Sequence, residues 1–180
     1  ARAQAVRWRG LLRRHGRAAD LEGTGAAGLP ASYTDLTRYD DTTPVYQSEL
    51  AFDKLRYALF PYIYSVAGAV TQDGYTMMRP LVMDFRADVK ARDVADQFMF
   101  GPSFLVSPVT EYKARARQVY LPAGEWYDWH TGERFTGPCF VVAATPMDRI
   151  PLYARAGAVI PMWPLAPAST DERPDVIELH

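Results

Sequence analysis

At 180 residues, with 48% apolar and 13% aromatic side chains, the chain can hold one domain with a sizeable core, or a small domain plus part of another. A net charge of −1 and a pI near 6.3 exclude a globally basic surface of the kind that draws nucleic acid or anionic membranes. The lone Cys139, in CFVVAA, excludes an internal disulfide or a multi-cysteine zinc site, and no apolar run approaches the ~20 residues of a membrane span.

Residues 1–17 carry six Arg and no acid but no recognisable nucleic-acid module, so no nucleic-acid partner is expected. Residues 18–38 mix Gly, Ala and Pro without a sustained period and read as loop or disorder. Order is expected from RYDDTTPVYQ onward. Thr43 suits an N-cap, and Pro44 suits the first helical position, where its missing N–H costs nothing.

Over 44–70, Val45, Phe52, Leu55, Leu59, Ile63, Val66 and Val70 recur at helical spacing. Tyr46, Leu50, Tyr57, Phe60 and Tyr64 form a second apolar stripe, so a helix buried on two sides is predicted, with a kink or restart at Pro61. Such a helix needs a large partner, which residues 1–38 do not supply. Gln72-Asp73-Gly74 predicts a turn, and 75–80 and 81–85 read as extended segments, Arg79 being held extended by Pro80. Residues 86–97 read as a loop or short helix.

Short strands are predicted at 98–101, 104–109, 117–122, 126–129, 140–144, 150–155 and 158–162, with turns at 101, 122, 131, 137 and 156. This punctuation indicates an antiparallel β-sandwich. The stretch DERPDVIELH begins another strand.

Aromatic-rich β composition directs attention to carbohydrate chemistry, where glycoside hydrolysis needs two carboxyl groups flanking one bond. Asp84, Asp88, Asp93, Asp96, Glu111, Asp128 and Asp148 are the acids considered. Asp84 lies between Met83 and Phe85, where burial would raise its pKa, yet a carboxylate bonded to backbone N–H groups or Arg explains it as well. No catalytic residue is assigned. His15, His130 and His180 are too scattered for a metal cluster, and no HExxH, CxxC, GxSxG, P-loop or GxGxxG occurs. His130 is expected exposed at a hairpin turn, while His15, beside Arg at a strand end, could donate to a sugar hydroxyl. Trp126, Tyr127, Trp129, Tyr153 and Trp163 could stack on sugar faces, but core packing is the favoured explanation.

LRYALFPYIYS, DGYTMMRPLVMDF, DQFMFGPSFLVSPV, YLPAGEWYDWHTG and DRIPLYARAGAVIPM, in unbroken order over residues 39–180, resemble the C-terminal part of glycoside hydrolase family 31. Its members are retaining α-glucosidases, α-xylosidases and relatives. TTPVYQSELAFDKLRYALFPYIYS and VTEYKARARQVYLP resemble bacterial α-xylosidases most. The resemblance implies an α+β fragment: the terminal helix of a (β/α)8 barrel followed by an antiparallel β-sandwich, the proximal C-terminal domain. Residues 1–38 would then be a disordered or disrupted barrel remnant, and 39–94 the end of the catalytic domain with its last helix. Residues 95–165 would be the proximal sandwich and 166–180 the start of a distal β-domain.

The family's Asp nucleophile and Asp acid/base lie on earlier barrel strands and have no matching positions here. The resemblance therefore implies that this chain alone is inactive and that its partner is the remainder of the barrel. The complete enzyme would act on an oligosaccharide substrate. ValArgTrp (6–8) and ArgArgHisGlyArg (13–17) resemble the two ends of the last barrel strand's sugar-contacting motif, which makes His15 a substrate-binding candidate. The Gly-Ala-Phe segment of the family is absent between them. No metal or organic cofactor is implied, and no compartment is assigned. From another class, a non-catalytic carbohydrate-binding or structural β-sandwich module is the alternative.

Overall fold

The computed structural model describes residues 42–164, 166 and 174–180. Helix α1, Pro44–Ala58, begins as its sequence dictates. The Thr43 side chain accepts from the Tyr46 N–H at 3.3 Å, and Pro44 takes the first helical position. The rod breaks at the fully buried Leu59 and resumes as α2, Phe60–Asp73, with Pro61 in its first turn, where a missing N–H interrupts nothing. Gly74 caps α2.

Beyond it lie β1 (Met78–Pro80), a helical turn α3 (Leu81–Asp84), a short helix α4 (Val89–Asp93), β2 (Phe98–Phe100) and β3 (Phe104–Val106). The chain continues through β4 (Ala116–Asp128), β5 (Arg134–Ala144), β6 (Leu152–Arg155), β7 (Pro161–Met162) and β8 (Glu178–Leu179). Residues 81–85, expected extended, are therefore helical over 81–84.

Six strands form one antiparallel sheet in the order β1-β2-β3-β6-β4-β5, and β7 pairs separately with β8. Alternation along β2, β3 and β6 gives each strand two apolar faces. Phe100, Phe104, Val106 and Leu152 meet Phe52, Leu59, Tyr62 and Val66 of the helices. Met99, Leu105 and Tyr153 point the other way and pack with Val119, Leu121 and Trp126 of β4 and with Leu81 and Phe85. The β4–β5 hairpin thus folds back over the face opposite the helices, giving sandwich-like layering within one continuous sheet. Each large side chain so buried contributes ~1.5–3 kcal/mol.

Two predicted turns turn out to be strand interior. Pro122-Ala-Gly lies within β4 at a register shift between Leu121 and Gly124, and Gly137 lies within β5. A side chain at Gly137 would collide with the Pro122 carbonyl, so the missing Cβ is what lets the two strands close.

Among the described residues the helices are not buried on both sides. Phe52, Tyr62 and Val66 are buried, whereas Tyr64 is 72% exposed and Val70 is exposed as well. Trp163 covers part of the second stripe, stacking on Phe60 at 5.2 Å while its N–H donates to the Ala58 carbonyl.

Candidate functional site

The carboxylates singled out by sequence fall into structural roles. Asp84 at the end of α3 pairs with Arg79 of β1, whose Nε donates to Oδ2 at 3.2 Å, and both side chains are mostly buried. The same guanidinium lies 4.4 Å over the Tyr75 ring. Asp88 caps α4 by accepting from the Lys90 and Ala91 N–H groups and also accepts from the Tyr120 hydroxyl at 2.6 Å. Asp96 pairs with Arg117 at 2.6 Å, and Asp148 lies 4.0 Å from Arg149. Asp128 shapes the hairpin turn, accepting from the His130 and Thr131 N–H groups at 2.8 and 2.9 Å. Asp93 and Glu111 line an open cleft of about 420 Å³ beside Phe140.

No Asp or Glu among the described residues is fully buried, and the mostly buried Asp84 is paired with Arg79. Nor does any group of three or more His, Cys, Asp and Glu among the described residues form a metal site. His15 lies outside the described residues. His130 is exposed as expected, with Nε2 3.0 Å from the Ile150 carbonyl.

The aromatic residues divide. Trp126 is fully buried, its indole N–H donating to the Pro122 carbonyl at 2.8 Å, and Trp163 and Tyr153 are buried too. Tyr127 is exposed on the outer face of the hairpin. Strict alternation would place Trp129 beside it. Instead β4 ends at Asp128, the Trp129 N–H donates to the Leu152 carbonyl, and its ring packs edge-on against Phe104. Trp129 and Tyr127 flank an apolar hollow of about 310 Å³ with Arg155 and His180.

Sequence reasoning missed a smaller cavity of about 240 Å³ at the end of the β4–β5 hairpin, lined in part by Asp128, Glu133, Phe135, Arg149 and Tyr153. Tyr153 of β6 is opposite Asp128 of β4 in register, so their side chains share a face. Only 1% of Tyr153 is exposed, while the buried side-chain atoms without a hydrogen-bond partner among the described residues are the hydroxyls of Tyr75 and Ser107. Burial first, and then the charges of Asp128 and Glu133, push the Tyr153 phenol up to about 12. The hairpin turn was readable in WYDWHTGERF, but nothing local indicated that Tyr153 would arrive beneath it.

Comparison with known proteins places this architecture. The family model for the glycosyl hydrolase family 31 C-terminal domain matches residues 74–160. The α-xylosidase of Saccharolobus solfataricus is 47% identical over 132 residues, covering 73% of this chain and 18% of its own length. Among solved structures, the GH31 α-xylosidase of Xanthomonas citri is 48% identical with a TM-score of 0.68, covering 71% of this chain and 14% of that one. A mutant Flavobacterium johnsoniae GH31 dextranase complexed with isomaltotriose is 31% identical with a TM-score of 0.66, covering 68% of this chain and 15% of that one. The chain thus spans less than a fifth of the length of each of these relatives.

Proposed function

Taking as premise that residues 74–160 are a glycosyl hydrolase family 31 C-terminal domain, we propose that this chain serves as the C-terminal part of a retaining α-glycosidase that removes α-linked xylose from oligosaccharides. The observation that carries the xylose assignment is the difference in identity between relatives. Of the α-xylosidases matched, two stand at 47% and 48% and a third at 38%, against 39% for the human neutral α-glucosidase C and 31% for the dextranase.

In this mechanism one Asp forms a covalent glycosyl intermediate, while the other protonates the leaving oxygen and then activates water. On this reading neither role falls to a described residue of this chain, whose acids cap helices, pair with Arg, shape turns or sit at the surface. The chain supplies support instead. The proposed arrangement sets the outer face of α1 and α2, with Tyr64 and Val70, against the catalytic barrel, and the six-stranded sheet braces the inner face.

Two measurements test this. The purified 180-residue chain should not turn over aryl α-xylosides or α-glucosides. Residues 74–160 grafted in place of the equivalent segment of an α-xylosidase relative should leave a folded enzyme active on α-xylosides. A folded but inactive graft, or turnover by the chain alone, would refute the proposal.

A further inference from the structure

We propose that the free edge of β5 is a self-association surface, where a second copy of this chain adds its own β5 antiparallel about a twofold axis at Val141. β5 ends the six-stranded sheet and runs for 11 residues, Arg134–Ala144, paired with β4 alone. Among the described residues, no backbone hydrogen bond joins 134–144 to any other segment. In an antiparallel ladder, alternate residues turn their N–H and C=O groups away from the strand they pair with. The outer edge of β5 therefore presents a row of unmatched donors and acceptors.

This edge lacks the devices that ordinarily block such pairing. Residues 135–144 carry no charged side chain, and Pro138 alone withholds an N–H. Beyond Pro138, Phe140 is 50% exposed and Val142 76%. One side of the Phe140 ring packs on Tyr120 at 4.9 Å, with the Lys90 ammonium 5.2 Å away, so its orientation is set. The other end of the sheet, β1, has only three residues, Pro80 among them, and offers no matching template. β5 thus meets its like, and the assembly closes as a dimer instead of growing into a filament.

Register and charge make a second copy the occupant. An axis on a residue keeps outward-facing backbone groups opposite outward-facing ones. With the axis at Val141, Phe140 of each copy stands opposite Val142 of the other. The two exposed apolar side chains then cover each other twice, as aromatic and β-branched cross-strand neighbours do. Pro138 falls at the end of this ladder, where its missing N–H costs least. An uncharged strand on a chain of net charge −1 raises no electrostatic barrier to self-contact. Edge pairing buries little surface, so the dimer dissociates on dilution. The helix face with Tyr64 lies across the sheet from the β4–β5 hairpin, which keeps this surface separate from the proposed barrel contact.

The test is sedimentation equilibrium on the full 180-residue chain, with a monomer–dimer equilibrium expected. Val142→Lys, at a position exposed in the monomer, should keep the fold and weaken association roughly tenfold, because both reciprocal pairs are lost. Tyr64→Lys, on the helix face, should leave association unchanged. Val141→Cys in a Cys139→Ser background reads the register: the axis brings the two Val141 backbones within disulfide range, so mild oxidation should link the copies. Tyr127→Cys in the same background, on β4, should not link. If Val141→Cys does not fold, the two lysine variants decide.

A chain that stays monomeric at every concentration, or one that grows beyond a dimer, would overturn the proposal. So would association that survives Val142→Lys but is lost in Tyr64→Lys, or crosslinking of Tyr127→Cys as readily as of Val141→Cys.

Discussion

The phenol of Tyr62 occupies the space that a side chain on Gly101 would need. Tyr62 projects from α2 onto the β2–β3 turn, donates its hydroxyl hydrogen to the Phe100 carbonyl at 2.8 Å, and accepts from the Ser103 N–H at 3.2 Å. Gly101 sits at the left-handed φ of 60°, and a Cβ built there overlaps the hydroxyl and touches Val66. One glycine therefore permits both a tight turn and a helix-to-sheet pin.

Gly101→Ala should cost ~3 kcal/mol or more. Roughly 1–2 arises from the left-handed backbone, and the rest from displacing the Tyr62 hydroxyl from its two partners. Tyr62→Phe should cost about 2 kcal/mol, because it leaves the Ser103 N–H and the Phe100 carbonyl short of a partner. Urea unfolding of the two single variants and the double variant checks this. If Gly101→Ala is no worse in the wild-type background than in Tyr62→Phe, the two residues are not coupled as described.

Gln97 offers a second pin. Its amide donates to the Tyr120 carbonyl and its oxygen accepts from the Tyr120 N–H, both at 2.8 Å, so one side chain imitates a neighbouring strand. Gln97→Ala should destabilise by about 2–4 kcal/mol, since both buried backbone groups of Tyr120 lose their partner. Gln97→Glu should be pH-dependent. A carboxylate facing a carbonyl has its folded pKa raised above the unfolded ~4.3. The stability is therefore retained below that value and lost as pH rises through the folded pKa. A Gln97→Glu midpoint that tracks the wild type from acid to neutral pH would contradict the geometry.

Much of the fold was legible because its signals are local. Thr43 and Pro44 open α1, Pro61 restarts the rod, and the FLV run at 104–106 alternates between two cores. The misread positions depend on distant partners. Pro122 and Gly137 each look like turn punctuation, yet they meet across β4 and β5 as one close approach, and neither is intelligible without the other. Leu81–Asp84 coils because Arg79 reaches over to Asp84 and Leu81 is fully buried, a tertiary effect that overrides the extended preference around Pro80. The candidate site was half legible. Asp128 and Glu133 lie in one hairpin, but Tyr153 joins them only through the pairing of β4 with β6.

Trp126 and Tyr127, adjacent in sequence, should respond in opposite ways to truncation. Trp126 is fully buried, packs 6.0 Å from Phe85 and satisfies the Pro122 carbonyl, so Trp126→Ala should cost ~3–5 kcal/mol. Tyr127 is exposed, and Tyr127→Ala should stay within about 1 kcal/mol of the wild type. Thermal unfolding of both variants reads the difference. Equal losses would mean that the strand faces are assigned wrongly.

Alkaline titration probes the second core directly. Burial pushes Tyr120 up to about 12, reinforced by its hydrogen bond to Asp88 and by that carboxylate's charge. Tyr153 is likewise held at about 12, by burial and then by the charges of Asp128 and Glu133. Both folded values lie above the ordinary 10.0, so the folded chain holds these protons more tightly than the unfolded chain. The stability tied to the neutral phenols is therefore complete below pH 10.0 and declines as pH rises toward about 12. Thermal midpoints measured across that window should fall less steeply for Tyr153→Phe than for the wild type, and less steeply again for the double variant with Tyr120→Phe. Near-ultraviolet tyrosinate absorbance should show the remaining buried phenol ionising together with unfolding. If the double variant keeps the full wild-type slope, these two phenols do not carry the alkaline sensitivity.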